Sequence, residues 1–255
     1  MKLCINPLTV YGAREPAEAF SDMAARGFHD FELWHVDPGM IPSMKSAMDE
    51  AGMRLAAFCT RVFDLTDPER RAAYLEGLAA ALADAASLGC RMLITQVGPD
   101  TGAPRSLQHE SILAGLRACV PMLAAAGVTL LVEPLNTVKD HPGYYLTDSL
   151  EAFDLIEAVD SPHVRVLYDV YHQLHMGEPV MDRIRSHVPL IGHIHLAGLP
   201  QRDEKLFVGY DHTDLFRMLD KVGYRGLAGL ELFPSPGSRE ALFEQLKPFL
   251  GPPAP

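Results

Sequence analysis

Short apolar runs, many of them rich in β-branched residues, alternate along the chain with longer, alanine-rich amphipathic stretches. Such runs are typical of strands buried on both faces, and the longer stretches are typical of helices that pack on one side. The predicted strands span residues 3–6, 30–34, 54–59, 91–96, 128–133, 164–169, 191–196 and 228–232. The predicted helices that follow them span residues 16–26, 42–51, 68–88, 107–126, 149–159, 180–187, 213–222 and 238–249.

Glycines mark the ends of five of these predicted helices. Each lies directly after a helix, where glycine readily adopts the left-handed conformation that ends it: Gly27, Gly52, Gly89, Gly127 and Gly223. Eight strand–helix alternations predict a parallel sheet closed into a single (β/α)₈ barrel over residues 1–250, with a flexible tail at 251–255. The rival, a doubly wound open sheet, usually has a glycine-rich fingerprint after its first strand, and the sequence NPLT at residues 6–9 is not one.

Composition and charge narrow the class of protein. The chain has 255 residues, 48% hydrophobic and 22% charged, which supplies enough apolar material for a large core. Its formal net charge of −11 has the wrong sign for neutralising the phosphates of a nucleic acid. No apolar run could span a membrane, and the N-terminus lacks the apolar core of a secretion signal, so we expect a soluble, cytoplasmic protein. Four cysteines without a CxxC pair are expected to be reduced thiols.

Polar residues end four consecutive predicted strands, the fifth to the eighth: Glu133, Asp169, His195 and Glu231. The carboxyl ends of the strands carry the active site in a barrel of this kind, so these side chains are expected to converge. Converging carboxylates repel each other and resist burial unless a positive charge lies between them. Three carboxylates and one imidazole suit one divalent ion, Mn²⁺ or Mg²⁺, with Co²⁺ as a substitute. The alternative for each residue alone is a polar strand end with a solvated side chain.

Other polar residues near the same strand ends are candidate substrate contacts: His35, Arg61, Gln96, Lys139, His172 and Arg202. Each arginine and the lysine follow a strand and could bind a carboxylate or phosphate, although a lone cation in a loop is usually only solvated. His35 and Gln96 could line a pocket or serve packing. His193 shares the inward face with His195 one layer deeper, which favours a hydrogen-bonded core histidine.

Four segments carry a family resemblance: EPLN at 133–136, HPGYYLT at 141–147, YDVYH at 168–172 and IGHIHLA at 191–197. With Glu231 they resemble hydroxypyruvate isomerases of the xylose isomerase-like barrel superfamily, most clearly over residues 128–231. The resemblance implies that Glu133, Asp169, His195 and Glu231 hold the metal. It also implies that the two glutamates face each other across the substrate and move the proton, and that His172 contacts a substrate oxygen. The residue matching Arg202 lies in the loop after strand seven.

The expected activity is a metal-dependent isomerisation between small hydroxy-aldehydes and hydroxy-ketones, such as hydroxypyruvate and tartronate semialdehyde, by proton transfer through an enediolate. Where related epimerases have a glutamate, this chain has Lys139, which favours an anionic substrate, although a polyol stays open. The alternatives are a ketose 3-epimerase, an inosose isomerase or dehydratase, a metal-dependent hydrolase such as an abasic-site endonuclease, and a non-catalytic binding protein. No nucleic-acid or membrane partner is expected, and a homo-oligomer is compatible with the sequence.

Overall fold

A computed structural model describes residues 2–250. Eight parallel strands form one closed barrel in chain order, each paired with its sequence neighbours and β1 with β8. They are β1 Lys2–Ile5, β2 Asp30–Leu33, β3 Arg54–Cys59, β4 Met92–Thr95, β5 Thr129–Val132, β6 Val164–Asp169, β7 Ile191–Leu196 and β8 Leu227–Leu230. The (β/α)₈ barrel predicted from the sequence is confirmed. The predicted tail at 251–255 lies outside the described residues.

The α-helices of residues 2–250 lie between or after these strands: α1 Pro7–Val10, α2 Ala17–Ala25, α3 Ile41–Ala51, α4 Arg71–Leu88, α5 Arg105–Ala126, α6 Ser149–Val159, α7 Val170–His175, α8 Val180–His187, α9 His212–Lys221 and α10 Arg239–Leu246. Each of the predicted helices is present, with ends shifted by a few residues. The sequence did not predict α1 and α7, because helices of four and six residues are too short to show a helical period. None of the helices in this range is long and apolar enough to cross a membrane.

Two layers of apolar side chains hold the barrel together. Inside it, Ala57, Ile94, Leu131 and Leu167 pack on one another, and the larger core fills the space between strands and helices. Side chains two positions apart on a strand share a face. The inward Leu131 and Leu167 therefore place Glu133 and Asp169 on the inner side, at the carboxyl end of the barrel, as the alternation predicted.

Candidate active site

A cavity of about 480 Å³ opens at the carboxyl ends of the strands. Each of the eight strand ends, or the segment that follows it, contributes a side chain to its wall: Asn6, Glu32, Cys59, Gln96, Glu133, His172, His195 and Glu231. This is the end of a (β/α)₈ barrel at which active sites form. Apolar side chains from the loops, among them Trp34, Phe63 and Phe233, line the outer part of the cavity.

The four strand-end residues singled out in the sequence lie close together at this end of the barrel, and three of them, Glu133, His195 and Glu231, line the cavity. Glu133, Asp169, His195 and Glu231 are all buried, and each offers a nitrogen or oxygen atom within 4.8 Å of those of the other three. His195 Nδ1 lies 3.0 Å from Glu231 Oε2 and 3.7 Å from Glu133 Oε1. The closed barrel thus brings together residues that are separated by as many as 98 positions in the chain, from 133 to 231.

Two buried atoms of this cluster have no hydrogen-bond partner: Glu133 Oε1 and His195 Nδ1. The contact between His195 Nδ1 and Glu231 Oε2 does not meet hydrogen-bond geometry, although it is short. Buried polar atoms are normally paired, and an unpaired one requires an explanation such as a bound ion. Oxygen and imidazole-nitrogen donors around one point fit a divalent cation of the Mn²⁺ or Mg²⁺ kind, so the residues present fit the predicted metal.

The charged groups of the cluster shift one another's pKa values. Burial alone would raise the pKa of Glu231, but Arg202 and His195 lower it to about 2. Burial alone would lower the pKa of His195, but the carboxylates of Glu32 and Glu231 raise it well above its ordinary value. Burial raises the pKa of Asp169, although Arg202 and His195 oppose the shift. The cluster therefore concentrates negative charge that attracts positive charge.

Arg202, which the sequence suggested as a substrate contact, lies at the wall of the cavity. Its Nη2 is 2.5 Å from Glu231 Oε2 and 3.6 Å from Asp169 Oδ2, and its Nε donates to the backbone oxygen of Glu231 at 3.2 Å. The residue has a φ of 59°, in the left-handed region that is uncommon for residues other than glycine. Its three contacts with Glu231 and Asp169 place the guanidinium beside the cluster.

Gln96 and Trp34 each donate a hydrogen bond to one of the two glutamates. Gln96, a predicted substrate contact, donates through Nε2 to Glu133 Oε2 at 2.8 Å. Trp34 donates through Nε1 to Glu231 Oε1 at 2.5 Å and packs at a tilt on Phe233. This role of Trp34 was not predicted from the sequence. Its position directly after β2 was the available signal.

His172, also a predicted substrate contact, lines the cavity at the first turns of α7. Asp169 ends β6 and caps this helix by accepting from the backbone N–H of His172 at 3.1 Å. Burial lowers the pKa of His172 to about 4, so its imidazole is neutral near neutral pH. One short helix therefore positions both a metal-ligand candidate and a neutral histidine.

Glu32, which the sequence analysis did not consider, lies under the cluster. It is buried on β2 and reaches across the barrel, where its Oε2 contacts Nε2 of His193 at 3.0 Å and Nε2 of His195 at 3.3 Å. The expectation of a hydrogen-bonded core histidine at His193 is confirmed. A charged residue between the apolar Phe31 and Leu33 of one strand was the signal that could have revealed Glu32.

Cys4, Glu32 and His193 form a second group that could hold a metal by geometry. Burial and the nearby Glu32 raise the pKa of the Cys4 thiol well above its ordinary value, and the thiol donates to Glu32 Oε2 at 3.6 Å. Thiols bind metals as thiolates. The group is therefore better described as a hydrogen-bonded support beneath the site.

Three of the predicted substrate contacts, His35, Arg61 and Lys139, do not line this cavity. Arg61 turns outward to an ion pair with Asp84 of α4. His35 is exposed on the far side of β2, next to α2 and α3. Lys139 is exposed, and its Nζ donates to the backbone oxygen of Pro200 at 2.5 Å. The loops after β2, β3 and β5 direct these side chains away from the floor.

The fold and the site together define a (β/α)₈ barrel with a buried carboxylate–imidazole centre at the carboxyl ends of its strands. The family model described as xylose isomerase-like TIM barrel matches residues 20–250, and the chain belongs to this family.

Relatives of known name and structure agree with this assignment. The chain is 29% identical to the 2-oxo-tetronate isomerase of Cupriavidus necator over 98% of its length and 99% of that protein. It is 30% identical to the hydroxypyruvate isomerase of Escherichia coli over 66% of its length and 65% of that protein. Among solved structures, a family 2 AP endonuclease from Brucella melitensis matches with a TM-score of 0.90 and 27% identity, over 98% of this chain and all of that one.

Proposed function

We propose that the protein is a divalent-metal-dependent isomerase of small hydroxy-carbonyl acids. Its substrate pair would be hydroxypyruvate and tartronate semialdehyde, or a related sugar acid such as a 2-oxo-tetronate. The observation that carries the proposal is the approach of two buried carboxylates, Glu133 and Glu231, to the same atom, His195 Nδ1, at 3.7 and 3.0 Å. The names of the relatives from C. necator and E. coli support the reaction type.

The metal would be held by the four residues of the cluster, Glu133, Asp169, His195 and Glu231. Mn²⁺ or Mg²⁺ suits this donor set, and Co²⁺ would substitute. When bound, such an ion supplies Lewis-acid stabilisation of negative charge on the carbonyl oxygen and the neighbouring hydroxyl oxygen of the substrate.

The two glutamates would move the proton. One of them removes the proton from the carbon that bears the hydroxyl group, and the electron pair forms the double bond of an enediolate. A proton is then returned to the carbon that carried the carbonyl, and the hydroxyl proton passes to the former carbonyl oxygen. Gln96 fixes Glu133, and Trp34 and Arg202 fix Glu231, so that each carboxylate is held in one orientation. A general base must lie within about 2.6–3.2 Å of the group whose proton it takes.

Arg202 would be the main residue that binds the negatively charged group of the substrate. Among the described residues that line the cavity, Arg202 is the sole lysine or arginine. A substrate carboxylate would therefore meet this guanidinium rather than Lys139 or Arg61, which lie outside the wall. The neutral His172, which like Arg202 lies beside Asp169, would contact a substrate oxygen.

Epimerisation of a ketose is the second candidate, and the same two glutamates favour it. Two carboxylates that face one carbon can remove a proton on one side and return it on the other. The name of the B. melitensis relative suggests endonuclease activity as a third candidate, which the site supports less well. A zinc cluster of that kind would need extra histidines on strands two and three, but β3 ends in Cys59 followed by Thr60, and His35 does not line the cavity.

A substrate panel tests the proposal. Hydroxypyruvate, tartronate semialdehyde, a 2-oxo-tetronate, ketohexoses, an inosose and abasic-site DNA are each incubated with the Mn²⁺-loaded protein. Products are followed by NMR, and DNA cleavage is followed by electrophoresis. Turnover of a hydroxy-carbonyl acid supports the proposal. Turnover of neutral ketohexoses alone would reject the anionic substrate in favour of an epimerase, and cleavage of DNA alone would reject both.

A further inference from the structure

A buried asparagine, Asn136, connects the turn after β5 with His172 at the wall of the cavity. Its side chain is fully buried. Its Oδ1 accepts from the backbone N–H groups of Lys139 and Asp140, both at 3.0 Å. An amide oxygen accepts hydrogen bonds and an amide nitrogen only donates them. These two backbone bonds therefore fix which end of the amide faces the turn.

The amide nitrogen of Asn136 faces two acceptors on the other side. It donates to Asp140 Oδ2 at 2.8 Å, and it lies 2.6 Å from His172 Nδ1. Because the amide nitrogen cannot accept, the hydrogen bond to the imidazole runs from Asn136 to His172. His172 Nδ1 must then carry a lone pair and no proton, since a protonated Nδ1 would set one donor against another.

The proton of the imidazole is therefore on Nε2. This atom lies 3.5 Å from Asp169 Oδ2, beyond the usual range of an N–H···O hydrogen bond, and His172 forms part of the cavity wall. The rings of His141 and Tyr171 pack edge-on against the imidazole at 5.3 and 5.5 Å and restrict its rotation.

We propose that Asn136 is a positioning residue that holds His172 in the Nε2–H tautomer, so that His172 donates a hydrogen bond to a substrate oxygen and does not act as a base. The second half of this inference rests on the proposed function, because it needs a substrate oxygen in the cavity. It leaves proton removal to Glu133 and Glu231. The hydrogen-bond donor, Nε2–H of His172, would then lie beside Asp169 at the edge of the cluster.

The tautomer can be measured without turnover. Protein labelled with ¹⁵N at histidine and loaded with Mg²⁺ is examined by long-range ¹H–¹⁵N NMR, and the His172 signals are identified by their loss in His172→Asn. In the wild type we expect an unprotonated Nδ1 and a protonated Nε2. In Asn136→Asp/Asp140→Asn, which keeps the net charge, a carboxylate replaces the amide donor and the proton moves to Nδ1. Asp140→Asn alone keeps the donor and the wild-type tautomer.

A protonated Nδ1 in the wild type, or the same tautomer in the double variant, would overturn the positioning role of Asn136. The catalytic half is read from steady-state kinetics on the substrate found in the panel. We expect kcat to fall roughly 10²-fold in the double variant, as for loss of one donor to a developing oxyanion. KM should change much less. An unchanged kcat in protein whose tautomer has moved would overturn the donor role of His172, whereas the tautomer of the wild type would still decide the role of Asn136.

Discussion

Glu133 and Glu231 are held in different ways, although both follow the last residue of a strand. Glu231 accepts from Trp34 and Arg202, and these contacts together with His195 overcome burial and keep its pKa near 2. Glu133 accepts from Gln96 through one oxygen, and its other oxygen is buried without a partner. Glu231 is therefore held firmly anionic, whereas Glu133 has one oxygen without a hydrogen-bond partner.

Replacing either glutamate by glutamine should remove the proton transfer while keeping an oxygen ligand. For Glu133→Gln and for Glu231→Gln we expect kcat to fall by about 10²–10⁴-fold, the usual contribution of general acid–base catalysis. Steady-state kinetics gives the rate, and elemental analysis shows whether metal is still bound. Phe63→Leu is the control, because Phe63 lines the same cavity and has no ionisable group that could transfer a proton. Near-normal rates in both glutamine variants with metal bound would rule out the two-glutamate mechanism.

At the scale of single residues, the sequence predicted the ligand cluster but not its supports. Glu133 and Asp169 were predictable because each lies two positions after an inward leucine on its strand. Glu32 and Trp34 were not, because their partners are on β7 and after β8, and the contacts exist only once the barrel has closed. The direction of the Arg61 side chain was not predictable, because the direction of a loop side chain depends on its partner, here Asp84.

Strands β2, β7 and β8 pack closely at Gly229, which has no side chain. Gly229 lies beside His195 in the register of β8 with β7, and a Cβ at this glycine would lie 2.4 Å from Glu32 Oε1. The carboxylate of Glu32 thus occupies space that any other residue at 229 would fill. In that space Glu32 contacts the Nε2 atoms of both β7 histidines, His193 and His195. Nδ1 of His195 therefore faces the cluster.

Gly229→Ala should therefore disturb the site from below. We expect a loss of about 1–3 kcal/mol in the free energy of unfolding, typical of overpacking. We also expect metal affinity to fall by roughly 10–100-fold, the usual effect of losing support for a ligating histidine. Urea titration and calorimetric titration of the metal-free protein with Mn²⁺ measure the two effects.

Two comparison variants separate packing from positioning. Glu32→Gln keeps the volume at the site and should lower metal affinity by a similar factor with little overpacking. Gly77→Ala adds a methyl group in α4, against the end of the Val62 side chain, and should leave metal affinity unchanged. Wild-type affinity for Mn²⁺ in both Gly229→Ala and Glu32→Gln would show that Glu32 does not support His195.

On the scale of elements, periodicity predicted the eight strands and the longer helices, whose apolar faces repeat over several turns. It could not predict α7, whose six residues follow a capping aspartate, Asp169, that is also a ligand candidate. Such a helix is defined by Asp169 and its hydrogen bond to the backbone of His172 rather than by an apolar stripe.

At the scale of the whole molecule, the proposed metal site depends on closure of the barrel. The four ligand candidates come from β5, β6, β7 and β8 or the residue after them, and an unfolded chain does not hold them together. A metal that binds only the folded protein stabilises it by mass action. The chain carries a net charge of −11, and its buried carboxylates add to the cost of folding without a cation.

Metal should accordingly raise the melting temperature of chelator-treated protein. At about 100 times the dissociation constant, a bound ion contributes about 2.7 kcal/mol. In a domain of this size that corresponds to a rise of roughly 5–10 °C. Differential scanning calorimetry with and without Mn²⁺ measures it, and Asp169→Ala is expected to show a much smaller rise. An equal rise in this variant would place the ion elsewhere.

Turnover in D₂O tests the central claim, that Glu133 and Glu231 carry a proton between two carbons of the substrate. The substrate identified in the panel is converted by the metal-loaded protein in D₂O, and product and remaining substrate are followed by ¹H NMR. A carboxylic acid formed during the reaction exchanges its proton with solvent, so we expect deuterium at the reacting carbon. Complete retention of the original hydrogen over many turnovers would contradict the claim and indicate hydride transfer between the two carbons instead.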